Sequence, residues 1–267
     1  MIKLIASDLD GTLLLPSGQM PQNAFDVISP IVERGVLFIP ASGRQQESLK
    51  KLFPMLAQSS PLICENGALV TYMGRTIHLD PIPATSVKRV ISALQGNTDV
   101  RMIFCGEKTA FFTDGDEYFT KKVPTVYPSY KIVDNLLDIV DEEPCCKISI
   151  YSQKGSRECG YPAVFPHLDE SASMILSGRN WCDVMSKTAN KGNALQAVQK
   201  LFGIAPEECA AFGDHLNDLE MLSACGRSFA PENAQPETKA VAKEIIPSNA
   251  DMGVLFTLKR LLEEGEI

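Results

Sequence analysis

No apolar run in this 267-residue chain is longer than a strand, which excludes a membrane-spanning helix, since one needs about 20 consecutive apolar residues. The N-terminus also lacks the apolar core and small-residue cleavage site of a signal peptide. The chain is therefore expected to work in the cytoplasm, away from membranes. Internal repeats and low-complexity tracts are missing, so the expectation is an ordinary globular fold. No C-x-x-C pair occurs among the eight cysteines, and several of them lie in apolar runs; they read as reduced core thiols, not as metal ligands or disulfides. Positive charge is scarce, with 25 Lys and Arg against 33 Asp and Glu, a formal balance of −8. That argues against nucleic acid as a partner, because such binding needs concentrated basic charge. A chain this acidic that handles a phosphate must supply positive charge locally, through a bound cation and one or two placed lysines. Tryptophan occurs once, at Trp181, and is expected in a core or lining a substrate pocket.

An apolar content of 45% suffices for one large core or two modest ones. The first eighty or so residues alternate strand and helix: apolar Lys3–Ala6, helical Asn23–Glu33 closed by Gly35, apolar Val36–Ile39, helical Gln46–Leu56, then Pro61–Cys64. The same grammar returns after Asn190, with strands predicted at Cys209–Phe212, Arg227–Ala230 and Glu244–Ile246, and helices at Ala194–Phe202, Asp218–Cys225, Ala234–Ala242 and Gly253–Glu263. Such alternation predicts a parallel sheet covered by helices. The middle is different. Short β-like runs at Val100–Cys105, Thr109–Thr113, Lys147–Tyr151 and Ser173–Leu176, with helices at Ser86–Leu94 and Asn135–Val140, predict an inserted α+β domain. The expected organisation is a discontinuous core over residues 1–81 and 186–267, interrupted by a domain over 82–185.

Ser7 to Leu14 read SDLDGTLL, directly after the first apolar run. Asp8 and Asp10 thus stand where ligands bind in open α/β sheets, outside the carboxyl end of a strand. Strand alternation would turn both to one side, with Leu9 opposite. Two acids so spaced can bind a divalent cation, or divide the work of nucleophile and general acid. Three further patches follow predicted strands or open a predicted helix. Pro40-Ala41-Ser42-Gly43-Arg44 offers a hydroxyl and backbone N–H groups, either an anion site or an ordinary serine cap. Asn190-Lys191-Gly192 holds a lysine that is either a surface residue or a phosphate-binding charge. Gly213-Asp214-His215-Leu216-Asn217-Asp218 places three more oxygen-bearing side chains on a strand-to-helix turn.

Taken together, the order of these motifs resembles the haloacid dehalogenase superfamily of phosphohydrolases. It is most similar to the Cof-type branch, in which a large α/β cap is inserted between the second and third motifs. Cys64-Glu65-Asn66-Gly67-Ala68 resembles that branch's Asn-Gly-Ala turn, and Asn233-Ala234 and Ser248-Asn249 match its late patches. The resemblance implies a Rossmann-like parallel-sheet core, an inserted α+β cap, and Mg²⁺-dependent hydrolysis of a small phosphorylated substrate. It implies Asp8 as nucleophile forming an aspartyl phosphate, and Asp10 as general acid and base. It further implies Mg²⁺ held by Asp8, the Asp10 backbone carbonyl, Asp214 and Asp218. Phosphate or substrate contacts would come from Leu9, Thr12, Ser42, Gly43, Arg44, Lys191 and Asn217, with His215 an exposed turn residue. Sugar phosphates or related phosphomonoesters are the expected substrates. Two alternatives stand beside this: a sugar phosphomutase on the same core, as in phosphomannomutase, which returns the phosphoryl group to a sugar, and a non-catalytic metabolite-binding module.

Overall fold

The computed structural model describes residues 1–115 and 117–267. The chain opens with β1 (Leu4–Ser7), α1 (Ala24–Glu33), β2 (Leu37–Pro40), α2 (Gln46–Leu52), β3 (Leu62–Cys64), β4 (Leu69–Tyr72) and β5 (Arg75–Leu79). Its middle runs through α3 (Ala84–Leu94), β6 (Arg101–Gly106), β7 (Ala110–Thr113), α4 (Glu117–Val126), β8 (Tyr130–Val133), β9 (Cys145–Tyr151), α5 (Tyr161–Val164), β10 (Ala172–Leu176) and β11 (Trp181–Ser186). It closes with α6 (Lys191–Phe202), β12 (Cys209–Phe212), α7 (Leu219–Ser223), β13 (Arg227–Pro231), α8 (Pro236–Val241), β14 (Glu244–Ile246) and α9 (Gly253–Glu263). Among the described residues no helix is long and apolar enough to cross a membrane.

The chain divides into two compact units. The first comprises Met1–Gly43, Leu49–His78 and Asn190–Ile267; the second comprises Arg44–Ser48 and Leu79–Ala189. Where 82 and 185 were expected as limits of the insertion, the long segment of the second unit begins at Leu79 and closes at Ala189.

In the first unit a five-stranded sheet is ordered β14-β13-β12-β1-β2, and every pairing in it is parallel. The interior strand β1 is buried throughout, as a strand covered on both faces must be, which explains its unbroken apolar run. From β1 the chain steps to β2 on one side and later to β12, β13 and β14 on the other. That reversal lies between β1 and β12, so the loops leaving their carboxyl ends diverge and open a crevice. A second, three-stranded sheet, β3-β4-β5, adjoins through a parallel bridge of Ala41 to Ile63. Ala194, Leu195 and Val198 of α6 pack with Leu4, Ala6, Ile39 and Ala211 in the unit's core.

The second unit is built on a six-stranded sheet ordered β10-β11-β9-β6-β7-β8, antiparallel except for β7 with β8. One core contains Val87, Val90 and Ile91 of α3 with Ile148, Ile150 and Val184 of the sheet. A smaller cluster joins Ile103, Phe112 and Tyr151 to Phe119 and Val123 of α4. The sequence reading missed α4, which contains Pro124 and the β-branched Val123, Thr125 and Val126. Tertiary burial overrides those weak propensities: Phe119 and Val123, four residues apart, share the buried face, and burying a phenylalanine is worth roughly 2–3 kcal/mol. Residues 136–139, expected as α-helix, form a short 3₁₀ turn instead.

Candidate active site

The site grows from the carboxyl ends of β1 and β12. Asp8 follows β1 in extended conformation, φ −63° and ψ 163°, and its N–H donates to the Phe212 carbonyl at 2.9 Å. Beyond it the strand stops. Leu9–Leu13 close one wide hydrogen-bonded loop in which Asp10 keeps extended angles, φ −78° and ψ 110°, and Gly11 turns the chain at φ 92°. Asp8 is buried, whereas Asp10 is exposed. Leu9 is fully buried. Gly11 is required for close approach as well as for its positive φ, because a Cβ there would lie 2.3 Å from Asp214 Oδ2.

The hydroxyl of Thr12, expected at the phosphate or orienting its own loop, donates to Asp214 Oδ1 at 2.7 Å. Asp218 folds the acidic turn upon itself. One carboxylate oxygen accepts the N–H groups of Asp214 and His215, at 3.0 and 3.1 Å, and the other accepts Lys191 Nζ at 2.6 Å. The same ammonium donates to Asp8 Oδ1 at 2.5 Å. Lys191 opens α6 and is 0% exposed, so the surface-lysine reading is excluded. A cation at a helix N-terminus opposes the helix dipole; here two charge-assisted bonds outweigh that penalty.

Asp8, Asp214 and Asp218 each offer a carboxylate oxygen, all within 4.8 Å of one another; among the described residues the Asp10 carboxylate is outside this group. Burial pushes the Asp8 carboxyl well above the usual carboxylate range, Asp218 and Asp214 add to the rise, and Lys191 opposes it. Burial likewise raises Asp214, against the hydrogen bond from Thr12. For Lys191 burial alone would lower the pKa, but Asp218 and Asp8 outweigh it and the net shift is upward. Three carboxylates against one ammonium leave two formal negative charges. A divalent cation would offset both, and an all-oxygen donor set suits a hard ion. The residues present therefore fit a metal.

The helix after Ser42 and Gly43 begins at Gln46, as predicted, and ends at Leu52, short of the expected Leu56. Ser42 itself is not its cap, because it is tied to the neighbouring strand: its N–H donates to the Ile63 carbonyl at 3.0 Å and its carbonyl accepts from the Asn66 N–H at 3.0 Å. Asn217 is half-buried and donates to Asn66 Oδ1 at 3.0 Å. Arg44 groups with the second unit. His215 is exposed. Trp181, on β11, is half-buried with its ring 4.9 Å from that of Tyr151.

Two residues that support the Asp8 loop had no role in the sequence reading. Asn233 donates to the Gly11 carbonyl at 2.7 Å and Asn249 to the Leu14 carbonyl at 2.8 Å, while the Asn249 N–H donates to Asn233 Oδ1 at 3.0 Å. The Asn233-Ala234 and Ser248-Asn249 patches were the available signal, without anything local to say what they hold.

Comparison with known proteins gives a consistent picture. A family model described as haloacid dehalogenase-like hydrolase matches residues 5–258. The chain is 31% identical to 5-amino-6-(5-phospho-D-ribitylamino)uracil phosphatase YbjI of Escherichia coli, over 98% of this chain and 97% of that protein. It is 27% identical to an HMP-PP phosphatase of Shigella boydii, over 90% of this chain and 92% of the relative. A crystal structure of a Eubacterium rectale protein, 27% identical, superposes with a TM-score of 0.85 over 97% of this chain and 99% of the other. A Thermotoga maritima structure at 23% identity shares the fold, with a TM-score of 0.86 over 97% of both chains.

Proposed function

The chain belongs to the haloacid dehalogenase-like hydrolases and is a phosphoric monoester hydrolase; from that premise we propose an Mg²⁺-dependent phosphatase of small phosphorylated metabolites in the cytoplasm. The observation that carries this reading is the Asp8 carboxylate, held at the carboxyl end of the interior parallel strand β1 by buried Lys191 and faced by Asp214 and Asp218. Sugar phosphates or related organic phosphomonoesters are the proposed substrates. The name of the 31% identical relative, which specifies a phosphorylated ribitylamino uracil, supports that class.

In the proposed reaction an Asp8 oxygen attacks phosphorus, the ester P–O bond breaks, and Asp10 gives its proton to the departing alkoxide. Asp8 is then an aspartyl phosphate. Asp10, now a carboxylate, takes a proton from water, whose oxygen attacks phosphorus; inorganic phosphate leaves and Asp8 is restored. Lys191, the Ser42 hydroxyl, the Gly43 N–H and Asn217 stabilise the transferring oxygens, where phosphoryl-transfer charge resides. The Leu9 main chain, Thr12 and Arg44 contribute further contacts to phosphate or substrate. Asp8, the Asp10 carbonyl, Asp214 and Asp218 would hold Mg²⁺, which would supply the charge neutralisation that lets an anionic nucleophile approach an anionic ester. The second unit selects the leaving group.

The test is a screen of phosphorylated metabolites for inorganic phosphate release, with and without Mg²⁺. Release that depends on the cation is expected. Return of the phosphoryl group to a second sugar hydroxyl, with no free phosphate, would mark a phosphomutase. Failure to form any aspartyl phosphate would mark a binding module.

A further inference from the structure

The turn between β3 and β4 carries three successive residues in the left-handed region, Glu65 at φ 49°, Asn66 at 56° and Gly67 at 97°. Asparagine and glycine tolerate that conformation, but glutamate does so rarely. Strain of this kind persists where surrounding contacts over-determine it, and it gathers at functional sites. The contacts here are unusually distributed. The Asn66 N–H donates to the Ser42 carbonyl at 3.0 Å, its side chain accepts from Asn217 at 3.0 Å, and Gly67 rests against the Asn190 carbonyl just before Lys191. Asn66 also lies directly under Gly43. A Cβ on Gly43 would be 2.8 Å from Asn66 Oδ1 and 3.0 Å from Nδ2, so Gly43 fits only because it has no side chain. One short turn thus touches the Ser42–Gly43 loop, the start of the Lys191 helix and the acidic turn.

Building on the function proposed above, we propose that Asn66 is a positioning residue, whose side chain sets the separation between the Ser42–Gly43 loop and Asn217. It acts by fixing where two phosphate-binding elements stop, which matters because donors stabilise charge only from the place they already occupy when it develops. A turn that served only to join β3 to β4 would not need an amide side chain between two other loops, or a strained backbone to aim it.

Asn66→Gly keeps the left-handed backbone and deletes only the side chain. With p-nitrophenyl phosphate and Mg²⁺ it is expected to lower kcat/KM by about 2- to 150-fold, the range of pairwise coupling, with the loss in kcat exceeding the change in KM. Hydrogen exchange at the Ala41–Gly43 amides should accelerate. Gly43→Ala should impair the wild-type enzyme and lose most of that penalty in the Asn66→Gly background, because the atoms it collides with are gone. Equal damage by Gly43→Ala in both backgrounds overturns the proposal, as does wild-type kcat in Asn66→Gly, whether or not exchange has changed. If the wild-type protein released no phosphate, the proposed function would fall. Amide exchange in Asn66→Gly, and the effect of Gly43→Ala on thermal unfolding in the two backgrounds, would then still decide whether Asn66 holds the loop.

Discussion

In the first unit Lys191 is buried at the ends of parallel strands between Asp8 and Asp218, whereas in the second unit Lys147 is buried in mid-strand beside Asp183. Ser149 and Asp183 face each other across β9 and β11, and the serine hydroxyl donates to the carboxylate at 2.6 Å. Lys147 Nζ is 3.8 Å from Asp183 and 5.8 Å from the Tyr127 ring. The two clusters look alike by burial and differ in place. The Lys147–Asp183 pair lies along paired strands beside an aromatic ring. The first gathers three carboxylates around one ammonium where strands end and loops diverge. Burial of charge alone does not mark a catalytic site; carboxylates gathered in excess at strand ends point to one.

The comparison breaks most decisively at its two aspartates. Asp8→Asn is expected to reduce Mg²⁺-dependent phosphate release by about 10⁴-fold or more, because an amide is a poor nucleophile. Its unfolding midpoint in chelator at pH 7 should not fall. The Asp8 pKa is raised on folding by burial, so ionisation above that pKa works against the native state, and an uncharged isostere escapes the cost. Asp183→Asn should show the reverse. It removes the buried carboxylate beside Lys147 and Ser149, costing about 3 kcal/mol in denaturant unfolding, while turnover of the folded fraction falls by much less. An Asp8→Asn variant with near-normal turnover, or an Asp183→Asn variant with unchanged stability, would remove the distinction.

Within the first unit, Asp10→Asn is expected to lower turnover by about 10²–10⁴-fold for an alkyl phosphate. The loss should shrink with p-nitrophenyl phosphate, whose leaving group needs no proton. Equal losses with both esters would reject Asp10 as the leaving-group acid. Exchange of the long segment of the second unit, Leu79–Ala189, should do less to rate and more to preference. A chimera carrying residues 79–189 from a relative of different selectivity should adopt the donor's substrate ranking at similar Mg²⁺ affinity. Retention of the original ranking would place selectivity in the first unit.

The smallest expected effect belongs to Asp169 of the second unit. Hydrogen bonds from Ser171 and Ser86 hold its carboxyl down at about 2. Because the folded value lies below the unfolded one, its contribution to stability is complete above about pH 4 and is lost as pH falls through 2. In an NMR titration Ser86→Ala should move the Asp169 pKa upward. An unmoved titration would show that Ser86 does not hold the carboxylate.

Reading from sequence succeeded where the signal was local. The strands at Cys209–Phe212 and Glu244–Ile246 and the helix at Gly253–Glu263 have the predicted bounds, because apolar periodicity and turn residues lie within a few positions of each other. It failed at α4, where burial of Phe119 and Val123 overrode local propensity, and at Ser42, where pairing with Ile63 replaced the expected serine cap.

The order of elements, the aspartates just past strand ends and the acidic turn after β12 were therefore determined by the sequence itself. Tertiary structure decided which of those groups meet. Lys191 and Asp8 are 183 positions apart, Thr12 and Asp214 are 202, and Asn249 and Leu14 are 235. No local pattern encodes such pairs. They exist because the parallel sheet places β1 next to β12 and α6 against both, so that a lysine with every local mark of a surface residue finds two carboxylates waiting in the core.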